Sequence, residues 1–244
     1  MPLALQIIRC ILFGYLIGGI NPSYIIGRLR GFDIRKKGSG NAGASNAVIT
    51  MGKAIGIGSA IFDILKATAA YLLAPLIFGD LALAAEIAGA ACILGHIFPV
   101  YMKFKGGKGL ACLGGVVLAM DWRAFLILLG SEIILCILLN YICVAPITAS
   151  VMVPLAYGFF GSTGTGWFIN ADNGWWGAAV LSVAMIGILS RHVQNIYRIA
   201  TGTEMHFNYL WINEEKKAAE KERIAKNTAR LLQKKEARQK NARS

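Results

Sequence analysis

The stretch of the chain best suited to bind an anion runs from Gly95 to Gly109 and reads GHIFPVYMKFKGGKG. Three lysines fall within six residues, the last of them is Lys108, and Gly106 and Gly107 precede it. Glycines let backbone N–H groups approach an anion closely, successive N–H groups can form an anion-binding nest, and a lysine adds a mobile positive charge. The stretch predicts a phosphate-type site at a membrane surface, with a basic loop that only sets membrane topology as the alternative.

Hydrogen-bonding side chains are concentrated in two further stretches. Residues 38–46 read GSGNAGASN, where serine hydroxyls and asparagine amides can hydrogen-bond a ligand. A flexible linker is the alternative, although a linker would not need two asparagines. Residues 191–204 read RHVQNIYRIATGTE, in which His192 and Asn195 are one helical turn apart and could face the same pocket.

Ionisable residues also occur inside the apolar runs. Asp63 and Lys66 are three residues apart on one face of a predicted helix, which favours a structural ion pair near the site. We expect His96 to satisfy its hydrogen bonds locally, near the end of its helix. Glu86 and Glu132 are single acids in apolar runs, and we expect them to be paired structurally rather than to be catalytic.

These stretches are embedded in a strongly apolar chain. Of its 244 residues, 56% are hydrophobic and 16% are charged, and several runs approach or exceed the ~18–20 apolar residues that a membrane-spanning helix needs. Charge is concentrated in short blocks rather than dispersed over helix faces, which argues against a large soluble core. The five cysteines show no paired metal-ligand spacing, which indicates buried thiols rather than disulfides or zinc ligands.

The pattern predicts an all-α polytopic membrane protein with about seven transmembrane helices. The predicted spans are residues 3–27, 54–78, 81–102, 108–120, 124–141, 145–161 and 174–190. The loop between the first two spans carries six basic residues and one acidic residue, whereas the turns at 79–80 and 121–123 and the segment 162–173 hold Arg123 as their one basic residue. By the positive-inside rule this alternation places the N-terminus outside and the C-terminus in the cytoplasm.

The chain divides into two predicted parts. Residues 1–205 form the membrane-embedded domain, and residues 206–244 form a basic cytoplasmic tail that is helical or partly disordered. Because the tail is rich in lysine and arginine but lacks interleaved aromatic residues, we expect it to lie near anionic lipid headgroups and not to bind nucleic acid.

Together these motifs resemble the acyl-phosphate:glycerol-3-phosphate acyltransferase family of bacterial membranes, over roughly residues 10–205. The resemblance is carried by GSGNAGASN, GHIFPVYMKFKGGKGLA and RHVQNIYRIATGTE, in this order, and FDILKA at residues 62–67 also resembles a family element. It implies a seven-span enzyme of the bacterial inner membrane with its active site on the cytoplasmic face and no cofactor or metal. The implied reaction moves a fatty acyl group from acyl phosphate to the first hydroxyl of glycerol 3-phosphate, giving lysophosphatidic acid and phosphate.

The resemblance also implies which residues form the site. The catalytic residues would be Ser39, Lys108, His192 and Asn195. The substrate-binding residues would be Gly40, Asn41, Gly43, Ser45, Asn46, Lys53, Gly106 and Gly107. An acyl phosphate is already activated, so no covalent nucleophile is required. None of the three histidines has an aspartate five residues on, which excludes acyltransferases of the His-x4-Asp type.

Three positions depart from the family pattern. Ser45 stands where threonine is usual, Ile49 stands where arginine is usual, and Cys143 stands where a hydroxyl is common. Lys53 would replace the missing arginine if the second span's helix begins by Ile49, because the two residues would then project from one face. The alternatives to the enzyme are a membrane transporter of a phosphorylated anion, which would need a midplane site, and a catalytically weak family member.

Overall fold

The computed structural model describes residues 1–162, 173–210 and 213–241, and within these ranges the chain is helical, without strands. The helices are α1 (Leu3–Gly19), α2 (Pro22–Leu29), α3 (Ala44–Met51), α4 (Lys53–Ile77), α5 (Ala84–Ile97), α6 (Leu110–Met120), α7 (Trp122–Leu139), α8 (Val144–Ser162), α9 (Gly174–Ser190), α10 (Val193–Ala200) and α11 (Glu214–Asn241). Short 3₁₀ turns lie at Ile34–Lys36, Val100–Met102 and Phe207–Leu210.

Within the described residues, four helical segments are long and apolar enough to cross a membrane: α4, α5 with the 3₁₀ turn that follows it, α7 and α8. Two more candidates are bent pairs, α1 with α2 at 46° and α9 with α10 at 49°. The remaining predicted span corresponds to α6, whose 11 apolar residues measure only about 16 Å at 1.5 Å per residue. The described ranges confirm an all-α membrane fold, and the orientation of its ends remains a prediction. Residues 163–172 of the predicted outer loop lie outside those ranges.

The predicted first span is broken rather than continuous. α1 ends at Gly19, and the side chain of Asn21 caps α2 by accepting a hydrogen bond from the backbone N–H of Tyr24 at 2.9 Å. Pro22 follows at the first position of α2, where a backbone N–H would have no hydrogen-bond partner within the helix, so the missing N–H of proline costs nothing. The break leaves a bend at the end of the bundle that carries the candidate site.

The helix α5 occupies the centre of the bundle, where it packs against α1, α4 and α9. Its approach to α1 is close: a Cβ atom at Gly14 would come within 2.2 Å of the Ala88 carbonyl oxygen, and one at Gly18 within 2.0 Å of the Cys92 carbonyl oxygen. Small residues at such crossings let two backbones meet, which is how helices associate in lipid. The packing fixes the end of α5, and with it the loop that follows.

The helix of the second span does not begin by Ile49, because the helical structure is interrupted between Ile49 and Lys53. Gly52 has φ +95°, so α3 ends at Met51 and α4 begins at Lys53. α3 folds back on α4, with Gly56 packed against Val48. The two side chains therefore belong to different helices, and the condition under which they would share one helical face is not met.

The acids and thiols in the apolar helices have structural surroundings. Glu132 accepts hydrogen bonds from the Thr148 hydroxyl at 2.9 and 2.8 Å, and Glu86 accepts one from the Tyr157 hydroxyl and one from Asn173 Nδ2. The five cysteines are free and buried. The predictions of structural pairing for both acids and of buried thiols are confirmed.

Candidate functional site

Two loops and the helix α10 meet beyond the end of α5. Lys108 Nζ, in the loop before α6, donates a hydrogen bond to Asn195 Oδ1 on α10 at 2.9 Å. In the same loop, the Gly106 carbonyl accepts a long hydrogen bond of 3.5 Å from the backbone N–H of Ala42, which belongs to the 38–46 loop. The fold therefore brings the three sequence motifs side by side.

Lys108 combines partial burial with a position at a helix N-terminus. Burial lowers the pKa of its ammonium, and the negative charge of Glu204 opposes that shift. Gly109, at φ +91°, is the N-cap of α6, and no side chain of the described residues caps the helix there. The first-turn amides of a helix carry partial positive charge and bind anions. Lys108 and the start of α6 together can neutralise a phosphate.

Asn195 is held between Lys108 and Glu204. Its Oδ1 accepts from Lys108, and its Nδ2 donates to Glu204 Oε1 at 2.8 Å. Asn195 is 7% exposed and Glu204 8%, so the bond between these two residues is shielded from water, whereas the bond from the half-buried Lys108 is only partly shielded. The buried Cys143 thiol also faces Glu204, and burial raises the pKa of this thiol to about 11. Glu204 is the last residue of the third motif, but no role for it was predicted from the sequence.

His192 precedes α10 and is almost fully buried. Its Nδ1 lies 2.9 Å from the carbonyl oxygen of Ile188. Because a carbonyl can only accept, Nδ1 of the neutral ring carries the proton, and Nε2 keeps a lone pair. Nε2 is therefore left as a hydrogen-bond acceptor.

Gly106 and Gly107 are required by packing. Their N–H groups donate to the carbonyls of Ile97 and His96, at 3.0 and 3.1 Å. A Cβ atom on Gly106 would lie 2.1 Å from the His96 carbonyl oxygen, and one on Gly107 would lie 2.0 Å from His96 Nε2. The expected anion nest is therefore not built from these two amides, because backbone carbonyls already use them.

The 38–46 loop is folded around Asn46, whose side chain is fully buried. Its Oδ1 accepts from the Ser39 N–H at 2.8 Å. Its Nδ2 lies within 2.7 to 3.0 Å of three carbonyl oxygens, those of Ile34, Lys37 and Asn41. These bonds use the whole amide, so Asn46 shapes the loop from inside.

The other predicted residues of this loop lie nearer its surface. Ser39, Gly40 and Ser45 are exposed, and Asn41 accepts a hydrogen bond from the N–H of Gly43, which is the N-cap of α3. Lys53 is exposed at the first residue of α4. Their contacts with substrate remain predictions.

Arg35 forms a second link between the first two motif loops. It pairs with Asp33 at 2.7 Å and donates to the carbonyl oxygen of Met102. The hydrogen bond from Arg35 lowers the pKa of Asp33 to about 2. The guanidinium also lies over the ring of Tyr24, 4.9 Å from its centroid. Arg35 is one of the six basic residues of the loop between the first two predicted spans, and its links to Asp33 and Met102 could not be predicted from that charge pattern.

A buried ionic cluster supports the glycine loop from below. Asp63 Oδ1 lies 2.6 Å from Lys66 Nζ and 3.3 Å from His96 Nδ1. Lys66 Nζ also donates to the carbonyl of Ile20, at the end of α1. The predicted Asp63–Lys66 pair is confirmed. The prediction of local hydrogen bonds for His96 is wrong, because α5 packs against α4 and presents the imidazole to it.

Asp63, His96 and Cys112 have potential metal-ligand atoms within 4.8 Å of one another. Lys66 Nζ, however, lies 2.6 Å from Asp63 Oδ1 and 3.1 Å from His96 Nδ1. A positive ammonium at that position repels a metal cation and already satisfies the carboxylate. The three residues therefore do not fit a metal centre.

Comparison with known proteins gives one consistent result. The sequence model of the family described as "Glycerol-3-phosphate acyltransferase" matches residues 8–202. A glycerol-3-phosphate acyltransferase of Brucella anthropi is 36% identical over 204 residues, which cover 83% of this chain and 94% of the relative. The protein of the same name from Mesorhizobium japonicum is 37% identical over 201 residues, covering 81% and 94%.

Solved structures agree with the sequence relatives. The crystal structure of PlsY, an integral membrane glycerol 3-phosphate acyltransferase in its glycerol 3-phosphate form, superposes with a TM-score of 0.69 at 33% identity. The alignment covers 84% of this chain and 96% of that protein. The lysophosphatidic acid form of the same protein gives a TM-score of 0.67.

Proposed function

This chain belongs to the glycerol-3-phosphate acyltransferase family, and from that premise we propose that it transfers a fatty acyl group from acyl phosphate to the 1-hydroxyl of glycerol 3-phosphate. The products are lysophosphatidic acid and inorganic phosphate. As a membrane acyltransferase of this family it acts in phospholipid synthesis. The observation that carries the proposal is the contact between Lys108 and Asn195 beside the open N-terminus of α6.

The reaction needs charge neutralisation more than covalent chemistry. The hydroxyl oxygen of glycerol 3-phosphate bonds to the acyl carbon, the bond between that carbon and the phosphate oxygen breaks, and the hydroxyl proton passes to the departing phosphate. Negative charge grows on the leaving phosphate in the transition state. A fixed ammonium and oriented helix amides stabilise that charge, and holding both substrates together supplies much of the remaining rate.

The proposed roles follow from the contacts of each residue. Lys108 binds phosphate, Asn195 fixes the direction of the lysine, and Nε2 of His192 orients the acceptor hydroxyl. Ser39 is exposed in the 38–46 loop, and its hydroxyl donates a hydrogen bond to a phosphate oxygen. Gly106 and Gly107 act through packing.

Further substrate contacts are proposed for the 38–46 loop and the start of α4. The hydroxyl of the exposed Ser45 and the side-chain amide of Asn41 would form hydrogen bonds with substrate, and the ammonium of Lys53 would add a positive charge near it. Gly40, Gly43 and Asn46 give the loop its shape, with Asn46 buried inside it.

The site is proposed to face the cytoplasm of a bacterial cell, within a membrane domain of residues 1–205, with residues 206–244 as a cytoplasmic tail. The basic loop between α2 and α4 supports this orientation, because basic loops remain on the cytoplasmic side. The acyl chain of the donor would then reach the site from the inner leaflet, and the water-soluble acceptor would reach it from the cytoplasm.

An assay of purified protein in detergent tests the function. Acyl phosphate and glycerol 3-phosphate should yield lysophosphatidic acid and phosphate in equal amounts, whereas the same acyl group on coenzyme A should not react. In detergent there is no closed compartment, so a transporter of phosphorylated anions would leave both substrates unchanged. Absence of both products at micromolar enzyme would overturn the proposal.

A further inference from the structure

The helix α11 is docked on the segment that carries Glu204. Along α11, Glu220 is buried and Arg223 and Asn227 are half-buried, whereas the intervening Lys221 and Lys226 are exposed. Residues three and four apart lie on one face of a helix. This spacing defines a docking face of α11, formed by Glu220, Arg223 and Asn227.

The docking face holds the backbone on both sides of Thr203. Arg223 Nη1 donates to the Gly202 carbonyl at 2.7 Å, and its Nη2 donates to the Glu204 carbonyl at 2.8 Å. Asn227 Nδ2 donates to the Gly202 carbonyl at 2.9 Å. Gly202 has φ +67°, which lets the turn present its carbonyls to α11.

The guanidinium is itself fixed by Glu220. Arg223 Nε lies 2.9 Å from Glu220 Oε2, and Arg223 Nη2 lies 2.7 Å from Glu220 Oε1. The fork geometry of such a pair sets the plane of the guanidinium. Glu220 Oε1 also accepts from the His206 N–H at 3.1 Å, so the same carboxylate holds the chain after Glu204.

The far side of this segment is anchored to the end of α7. Asn140, which has φ +58°, accepts from the Phe207 N–H through its backbone carbonyl at 2.7 Å. Its Oδ1 accepts from the Asn208 N–H at 2.9 Å. Residues 202–208 are therefore held by hydrogen bonds to Asn140 at the end of α7 and to α11. The side chain of Glu204 extends from this segment to Asn195.

We propose that Arg223 is a positioning residue for acyl transfer, because its hydrogen bonds to Gly202 and Glu204 hold the carboxylate that orients Asn195 and Lys108. The inference rests on the proposed function of Lys108. Arg223 lies outside the region that the family model matches, which ends at residue 202. In this chain the basic tail thus contributes a working part of the site, in addition to any contact with lipid.

A positioning role for Arg223 predicts a change in the pH dependence of activity, which a purely structural role does not. The titratable and charged groups that face Lys108 are Glu204, Cys143, Arg198, Arg191 and the neutral ring of His192. Among them, Glu204 raises the pKa of Lys108, while Arg198 and Arg191 lower it. If Glu204 moves away, the pKa of Lys108 falls further. Activity that needs the protonated ammonium will then be lost at a lower pH.

The test compares Arg223→Ala with Arg230→Ala in the full-length protein. Arg230 is an exposed arginine of the same helix, so its variant makes the same change of charge. We expect Arg223→Ala to lower kcat about tenfold, the size of one lost charged hydrogen bond, and to move the alkaline limb of the pH–rate profile to lower pH. Arg230→Ala should leave kcat within about twofold and the limb in place. Arg223→Lys should recover part of kcat, because it keeps the charge but not the fork.

A double-mutant cycle separates positioning from folding. In a Glu204→Gln background, Arg223→Ala should have little further effect on kcat, because both changes act through one carboxylate. Equal kcat values for Arg223→Ala and Arg230→Ala, or an undiminished effect of Arg223→Ala in the Glu204→Gln background, would overturn the inference while wild-type activity stands. An inactive wild-type protein would overturn the proposed function itself.

Discussion

The buried ammonium of Lys66 donates a hydrogen bond of 2.6 Å to the carbonyl of Ile20, at the break between α1 and α2. The same Nζ pairs with Asp63 at 2.6 Å and contacts His96 Nδ1 at 3.1 Å. His96 in turn packs directly under Gly107. One lysine thus connects the bend of the first span to the loop that carries Lys108.

We predict that Asp63→Asn strongly destabilises the protein. The substitution leaves Lys66 charged and buried without its counter-ion, and breaking a buried pair costs ~3–5 kcal/mol. Thermal unfolding in detergent should show a clearly lower Tm for Asp63→Asn, and an unchanged Tm for Lys36→Ala, whose side chain is exposed. Equal melting of Asp63→Asn and wild type would contradict a structural role for the pair.

We predict that Gly107→Ala lowers kcat/KM at least about tenfold. The new Cβ atom would meet His96 Nε2 at 2.0 Å, so the imidazole or the loop must move, and Lys108 moves with it. Gly58→Ala is the matched control, because a Cβ atom there meets nothing within 4 Å. The control should keep full activity. A normal kcat/KM for Gly107→Ala would mean that the loop position does not matter for catalysis.

We predict that Lys108→Ala lowers kcat/KM ten- to hundredfold while the protein stays folded. A charged hydrogen bond contributes ~1.5–3 kcal/mol, and each ~1.4 kcal/mol lost from the transition state is a factor of ten in rate. Lys105→Ala, in the same loop but exposed, should stay near the wild-type value. Similar kinetics of the two variants would assign Lys108 to membrane topology alone.

We predict that the site end of the bundle faces the cytoplasm. The native cysteines are buried, so a cysteine introduced at an exposed loop position reports its own side of the membrane. In intact cells, Lys105→Cys should be protected from a membrane-impermeant thiol reagent, and Asp80→Cys, in the turn between α4 and α5, should be labelled. The opposite labelling pattern would reverse the topology.

The sequence alone determined the fold class and the identity of the motifs. Apolar runs of spanning length cannot be buried in a soluble domain of this size, so hydropathy predicts the all-α membrane fold. Lys108, His192 and Asn195 could be predicted as site residues because a local run of basic and amide side chains beside an apolar span is visible without coordinates. The Asp63–Lys66 pair follows from helical spacing in the same way.

Only the tertiary structure decided which residues contact one another across the chain. Glu204 contacts Asn195, and Arg223 contacts the backbone of Glu204. Neither contact could be predicted from the spacing of residues along the sequence. From the sequence, the N–H of Gly107 was expected to be free to bind an anion. In the structure it donates to the His96 carbonyl, and the His96 imidazole fills the space that a side chain on Gly107 would occupy. Spacing along one helix can be read from a sequence because helical geometry is fixed, whereas contacts between helices depend on how closely their backbones pack.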